Sequence, residues 1–226
     1  MKRTNSPRAQ APRSPSASPP PPSARGGAAF EPRLVRADLP HETVALARAL
    51  IGTLLVRERE GELLVGRIVE TEAYLPHDPA SHAFRGETSR NRAMFGHPLH
   101  AYVYFVYGAN WCLNITSEAH GIGAAALVRA CEPVAGLTTM HALRGRTLPD
   151  RELARGPGNV CRAFAIGPAF DGADLECDPA LWLARGDRPV EIGTSVRIGL
   201  TKAAEMPLRF YARGSRSVSG PRALSP

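Results

Sequence analysis

Residues 66–74 read G-R-I-V-E-T-E-A-Y and follow the apolar run Leu63, Leu64 and Val65, so a strand signal runs straight into two carboxylates, Glu70 and Glu72. Strand side chains alternate between faces, which puts Glu70, Glu72 and Tyr74 on one face of that strand. A carboxylate beside an aromatic, at the end of a strand that is otherwise core, is costly to bury without a partner or a chemical role. Two readings fit the pattern at this stage: a solvated sheet face, or a functional site.

The segments on either side supply the rest of a sheet. Residues 41–51 have helical apolar spacing with Gly52 as a stop, and residues 53–57 and 63–73 read as strands around a polar turn at 58–62. A long connection follows, marked by Pro76, Pro79, Gly86 and Gly96 and carrying Ser81, His82, Arg90, Asn91 and Arg92. Loops of that length inside a domain are usually functional or disordered. Residues 101–107, A-Y-V-Y-F-V-Y, form the next strand, with Tyr102 and Tyr104 on one face and Val103, Phe105 and Tyr107 on the other. Gly108 turns the chain into a returning strand at 111–116, where a buried Asn114 needs hydrogen-bond partners. A short strand at 124–130 carries one charge, Arg129. Residues 136–144 and 151–166 look helical, the second interrupted by Gly156, Pro157 and Gly158. Strands return at 180–184, 195–200 and 208–213. Hairpins with segregated helices imply an α+β domain built on a largely antiparallel sheet.

A chain of 226 residues suits one domain with tails, and 43% hydrophobic with 22% charged residues is ordinary for a soluble globular protein. No apolar run approaches a membrane span and no signal-peptide core is visible, so the expected location is cytoplasmic, or nucleoid-associated in a bacterium. Cys112, Cys131, Cys161 and Cys177 form no C-x-x-C pair, which argues against a zinc ribbon or a closely ligated iron–sulfur cluster. His97 and His100 are separated by Pro98 and Leu99, which breaks any helical ligand pair, so no metal site is expected. The formal charge of +7 suggests an anionic partner, yet Lys2, Arg3, Arg8, Arg13 and Arg25, with no acid among residues 1–29, supply most of it. That segment, rich in Pro, Ser, Ala and Arg, is expected to be disordered. The domain is then expected over residues 30–217, with a flexible C-terminal tail at 218–226.

Seven ordered blocks carry a resemblance. The runs at 66–74, S-R-N-R-A-M-F-G (89–96), A-Y-V-Y-F-V-Y-G (101–108), W-C-L-N-I (111–115), A-L-V-R-A-C-E-P (126–133), R-E-L-A-R-G-P-G-N-V-C-R-A-F-A-I (151–166) and P-L-R-F-Y-A-R-G (207–214) resemble the mammalian-type 3-methyladenine (alkyladenine) DNA glycosylases. The match runs from about residue 34 to residue 217. It implies a single mixed α+β domain around a curved, largely antiparallel sheet, with a protruding β-hairpin that enters the DNA minor groove. The implied activity is monofunctional excision of alkylated purines from duplex DNA: 3-methyladenine, 7-methylguanine and, further afield, hypoxanthine or ethenoadenine. The partner is double-stranded DNA containing damaged purines, bound by a monomer, with no cofactor.

The same resemblance assigns roles. Glu72 aligns with the general base that activates the attacking water, Arg129 with its basic partner, and the main chain of Ile198 with the group that supplies a carbonyl to that water. Tyr74, His82 and Tyr104 match the base-stacking pocket. Asn114 matches the residue that excludes normal guanine, and Tyr107 the side chain that fills the gap left by the extruded nucleotide; Tyr102 is read as structural. The chain departs from the pattern in three places: the loop after Tyr74, L-P-H-D-P, is about one residue short, Leu99 stands where glycine is common, and Ala109 replaces a larger apolar residue. Only Lys2 and Lys202 could supply a side-chain amine for strand cleavage, which favours a water-using enzyme. Two other functions compete. One is a non-catalytic binder of damaged or single-stranded nucleic acid; the other is a glycoside hydrolase using Glu70 and Glu72 as a carboxylate pair, which is poorly suited because both come from one side of a site.

Overall fold

The computed structural model describes residue 30, residues 32–106, residue 108 and residues 110–224. The Pro- and Arg-rich segment 1–29, Tyr107 and Ala109 lie outside the described residues.

The long acidic strand is the spine of the fold. It is β2 (Glu62–Tyr74), joined to β1 (Leu54–Arg59) by a tight turn in which Glu60 and Gly61 both take positive φ, 54° and 84°. Two consecutive left-handed residues give the turn a twist that matches the strands it joins. The remaining strands are β3 (Ala101–Val106), β4 (Asn110–Thr116), β5 (Ala125–Ala135), β6 (Leu181–Ala184), β7 (Ile192–Ser195) and β8 (Arg209–Ala212). The sheet runs in the order β3-β4-β5-β2-β1-β6, and β8 joins β2 beyond β1 and pairs in turn with β7. All these pairings are antiparallel, and the sheet curls into a half-barrel. The fold is therefore a single α+β domain, as the strand pattern implied.

Three helices close one face: α1 (Thr43–Ala49), α2 (Leu137–Arg144) and α3 (Pro157–Ala163). Glu42 starts α1 by accepting hydrogen bonds from the Val44 and Ala45 backbone, and Gly145 ends α2 at a φ of 63°. Leu46 and Leu50 join Leu55, Leu64, Ile68, Val160 and Phe164 in one core. Gly66 faces this core because a Cβ there would lie 2.7 Å from the Phe164 ring and 2.9 Å from Cys131. The run at 151–166 is helical only from Pro157; Asp150–Glu152 is a 3-10 turn, since proline is favoured as a first helical residue and disfavoured further in. Residues 196–200, read as strand, leave β7 as irregular chain.

Strict alternation would have sent the glutamates inward. Leu64 and Ile68 face the core, so the even-numbered residues of β2 point that way in its first half. The register then shifts on both sides of Glu70, leaving Val69 on β2 and Arg129 on β5 without Cα partners. A bulge changes the phase of every residue beyond it. Val69 and Ala73 now enter the core, the Thr71 hydroxyl donates to the Ala47 carbonyl of α1, and Glu70, Glu72 and Tyr74 turn to the opposite face.

Candidate active site

On that opposite face the Glu72 carboxylate is fully buried and fixed from three directions. Oε1 accepts a hydrogen bond from the Ile198 backbone N–H at 2.8 Å and lies 3.2 Å from Arg129 Nη1. Oε2 accepts from the Tyr74 hydroxyl at 3.0 Å. Burial works against the charge on Arg129, but Glu72 and then Glu70 outweigh it and raise the guanidinium pKa. Burial, followed by the charge and hydrogen bond of Glu72, pushes the Tyr74 phenol far above its ordinary value, so it remains a donor.

Tyr74, Arg129 and Ile198 then form part of the lining of a cavity of about 490 Å³, whose wall continues through His82, Tyr104 and Asn114. Its size falls within the usual range of small-molecule sites, roughly 300–1,000 Å³. His82 meets Tyr104 edge to face at 4.3 Å between centroids, and Tyr102 stacks on Tyr104 at 5.3 Å. Tyr102 is more than a strand aromatic: its hydroxyl is 3.0 Å from His82 Nδ1 and fixes that ring. Burial, with Arg90 second, lowers the His82 pKa and favours neutral imidazole. Burial raises the Tyr102 phenol to about 12. Asn114 is buried opposite Tyr102 in register and donates to its carbonyl at 3.2 Å. Of the eight residues singled out by sequence, seven therefore converge here, while Tyr107 lies outside the described residues. The contact Ile198 makes to Glu72 is through its N–H.

Behind Glu72 lies a set of residues to which the family resemblance assigned no role. Glu70, also fully buried, accepts through Oε1 from Arg129 Nε at 3.1 Å and from Arg209 Nε at 2.7 Å, and through Oε2 from the Ser219 backbone N–H at 2.6 Å. Arg209 donates further to Ser195 Oγ and to the carbonyls of Ser219 and Leu224. Ser219 Oγ is 3.4 Å from Arg129 Nη2. Val218 and Ser219 are thus buried parts of the domain, which extends past Ser217. Local composition could not show this, because Ser219 meets Glu70 across 149 residues and Val218 meets Arg155 across 63. Glu70 is enclosed by these donors, which removes it as the second carboxylate of a glycoside hydrolase pair.

A second ion pair backs Tyr74. The Arg197 guanidinium carbon is 4.8 Å from the Tyr74 ring centroid. Arg197 Nη1 pairs with Asp78 Oδ2 and donates to the Ala73 carbonyl at 3.0 Å, while Nη2 donates to Asp78 Oδ1 at 3.2 Å. Both side chains are fully buried. The adjacency of Arg197 to Ile198 was the only sequence signal for this pair.

Comparison with known proteins adds an independent line. The family model for Methylpurine-DNA glycosylase (MPG) matches residues 37–216. A protein of Mesorhizobium japonicum named for 3-methyladenine DNA glycosylase activity is 51% identical over 194 residues, covering 85% of this chain and 93% of its own. The DNA-3-methyladenine glycosylase of Homo sapiens is 49% identical over 193 residues, 78% of this chain and 64% of the human one. That of Mus musculus is 48% identical over 194 residues, 78% of this chain and 58% of the mouse one.

Proposed function

Because the chain belongs to the methylpurine-DNA glycosylase family, and is thus a DNA glycosylase acting on alkylated bases, we propose that it flips damaged purines out of duplex DNA and releases them by water attack on the N-glycosidic bond. The observation that carries this reading is Glu72, held by Arg129, the Ile198 N–H and the Tyr74 hydroxyl beneath an aromatic cavity. Extruding a base costs a few kcal/mol of stacking and pairing, offset by a pocket that takes the base and a wedge that replaces it. Tyr107, between β3 and β4 in the chain, is the candidate wedge. Tyr74, His82 and Tyr104 are the groups for the base to stack against.

As the glycosidic bond breaks, its electron pair leaves with the base and positive charge builds on the sugar. The anionic Glu72 stabilises that charge and accepts a proton from the water that bonds to C1′. Arg129 Nη1, 3.2 Å from Oε1, supplies the opposing charge. Purines alkylated at N3 or N7 carry a positive charge, so they leave as neutral bases and suit an electron-rich aromatic pocket. The substrate class is therefore 3-methyladenine and 7-methylguanine first, with neutral hypoxanthine and ethenoadenine behind them. Asn114, in the wall of that cavity, is assigned the exclusion of normal guanine through its amino group.

The reaction needs no cofactor, and a monomer supplies every group named. Lys202, the only lysine among the described residues, borders a second cavity of about 380 Å³ that shares His82, Arg90 and Tyr102 with the first but does not line the first. Water is therefore the preferred nucleophile. The test is release of free base from methylated duplex DNA in the presence of EDTA. Free methylpurines with an intact abasic strand are the expected result. Tight binding to the damaged duplex without any release would instead favour a lesion-binding protein without chemistry.

A further inference from the structure

We propose that Glu70, Arg209 and Ser219 are positioning residues for base excision: they fix the direction of the Arg129 guanidinium and set the electrostatic field at Glu72. The proposal rests on the reading of Glu72 as the base, and it concerns residues to which neither the family resemblance nor the cavity lining assigns a role.

The sheet creates the need for them. The phase change in β2 turns two carboxylates, two residues apart, to the face opposite the core, and both are fully buried. Like charges that close in a low-dielectric site repel strongly. One arginine cannot answer both. Arg129 spans them, with Nε 3.1 Å from Glu70 Oε1 and Nη1 3.2 Å from Glu72 Oε1. Arg209 supplies the second positive charge, so two carboxylates face two guanidiniums and the buried group is formally neutral. In register Arg209 lies directly across from Glu72, yet its Nε is directed to Glu70 at 2.7 Å. Its Nη atoms are anchored on Ser195 Oγ and the Ser219 and Leu224 carbonyls, which hold that direction. Ser219 completes the arrangement with its N–H on Glu70 and its hydroxyl beside Arg129 Nη2.

The result is a division of labour. Glu70 takes Arg209, the Ser219 N–H and one edge of Arg129. The other edge of Arg129 is left aimed at Glu72. Glu72 receives one guanidinium edge and one main-chain N–H on Oε1, and the Tyr74 phenol on Oε2. A carboxylate engaged by two guanidiniums would be a poor proton acceptor.

The test is single-turnover base release from methylated duplex DNA across pH, using the full chain. The groups facing Glu72 are Arg129 from β5, Tyr74 and Glu70 from β2, Arg209 from β8 and the Ile198 N–H. Only Glu70 and Arg209 are changed. Glu70→Gln removes a negative charge, so the acid side of the profile should move to lower pH; Arg209→Gln removes a positive charge and should move it to higher pH. A displacement of about one pH unit, read as about a tenfold change in rate on that limb, is expected in each. The double variant restores neutrality and should lie between the two single variants. A purely structural role would lower melting temperature and rate without separating the limbs in opposite directions. Limbs that stay in place, or move together, overturn the proposal.

If either variant does not fold, Ser219→Ala carries the test, because it keeps the main-chain N–H and removes only the hydroxyl beside Arg129. Release about tenfold slower, with affinity for damaged DNA unchanged, is the expected result. A wild-type rate overturns the proposal. Absence of release by the wild type would instead contradict the proposed function, so the two failures are distinguishable.

Discussion

Replacing Asp78 with alanine strands a positive charge in the interior, and its cost can be worked from the contacts. Arg197 and Asp78 are both fully buried, and the carboxylate also accepts from the Ala80 N–H at 2.9 Å. Once the carboxylate is gone, Arg197 keeps only the Ala73 and Ala203 carbonyls as acceptors among the described contacts. Breaking a buried pair in this way costs about 3–5 kcal/mol, because the remaining charge has no counter-ion. For a domain of this size each kcal/mol lowers the melting temperature by roughly 2–4 °C, so a fall of about 6–20 °C is expected. The loss should also reach the site. Arg197 backs the Tyr74 ring, and its neighbour Ile198 holds Glu72, so base release at 25 °C should fall by more than the folded fraction explains. Thermal melting of Asp78→Ala beside the wild type checks the first part, and single-turnover release checks the second. Asp78→Asn, which keeps the shape but not the charge, should fall between them. A melting temperature within about 2 °C of wild type would refute the reasoning, since it would mean the guanidinium finds water or another anion at no cost.

Tyr74→Phe keeps the ring and removes the hydroxyl that donates to Glu72; release should slow by about tenfold while binding of damaged duplex is retained, as single-turnover and titration measurements would show. Asn114→Ala should release normal guanine from undamaged duplex at a detectable rate, and guanine release that stays undetectable would remove Asn114 from that role. At pH 8 an alkylating reagent should modify Cys177 in the folded protein and all four cysteines after denaturation, a difference mass spectrometry reads directly. Burial raises the Cys112 thiol to about 11 and those of Cys131 and Cys161 further, so they stay protonated and unreactive at that pH. Leu99→Gly relieves a positive φ of 65°, worth about 1–2 kcal/mol, but deletes a buried side chain worth about 2–5 kcal/mol; a lower melting temperature is expected.

The sequence carried the sheet and most of the pocket because those features repeat locally. Alternation along β3 and β4 is enough to place Tyr102 and Tyr104 together and Asn114 in the strand beside them. The face carrying Glu70, Glu72 and Tyr74 was also legible, since the three are spaced two apart. What alternation could not show is that this face is the opposite one from Leu64 and Ile68, because the phase change at Val69 depends on how β5 pairs. The partners of Glu70 were invisible for a related reason. Arg209 and Ser219 lie 139 and 149 residues away, and a polar C-terminal stretch reads as a tail until the buried charges it serves are known. Asp78 and Arg197 present the same problem across 119 residues. Leu99, where the resemblance led to an expected glycine, has the backbone conformation that favours glycine and accepts a strained one in exchange for burial.

The central claim is that Glu72 performs the chemistry without being needed for recognition. It is tested most directly by giving Glu72→Gln and wild type the same methylated duplex, measuring binding and released base on each. The account predicts that the variant binds the damaged duplex as the wild type does and releases no base over many wild-type half-lives. Base release by Glu72→Gln at a rate near that of the wild type would contradict it.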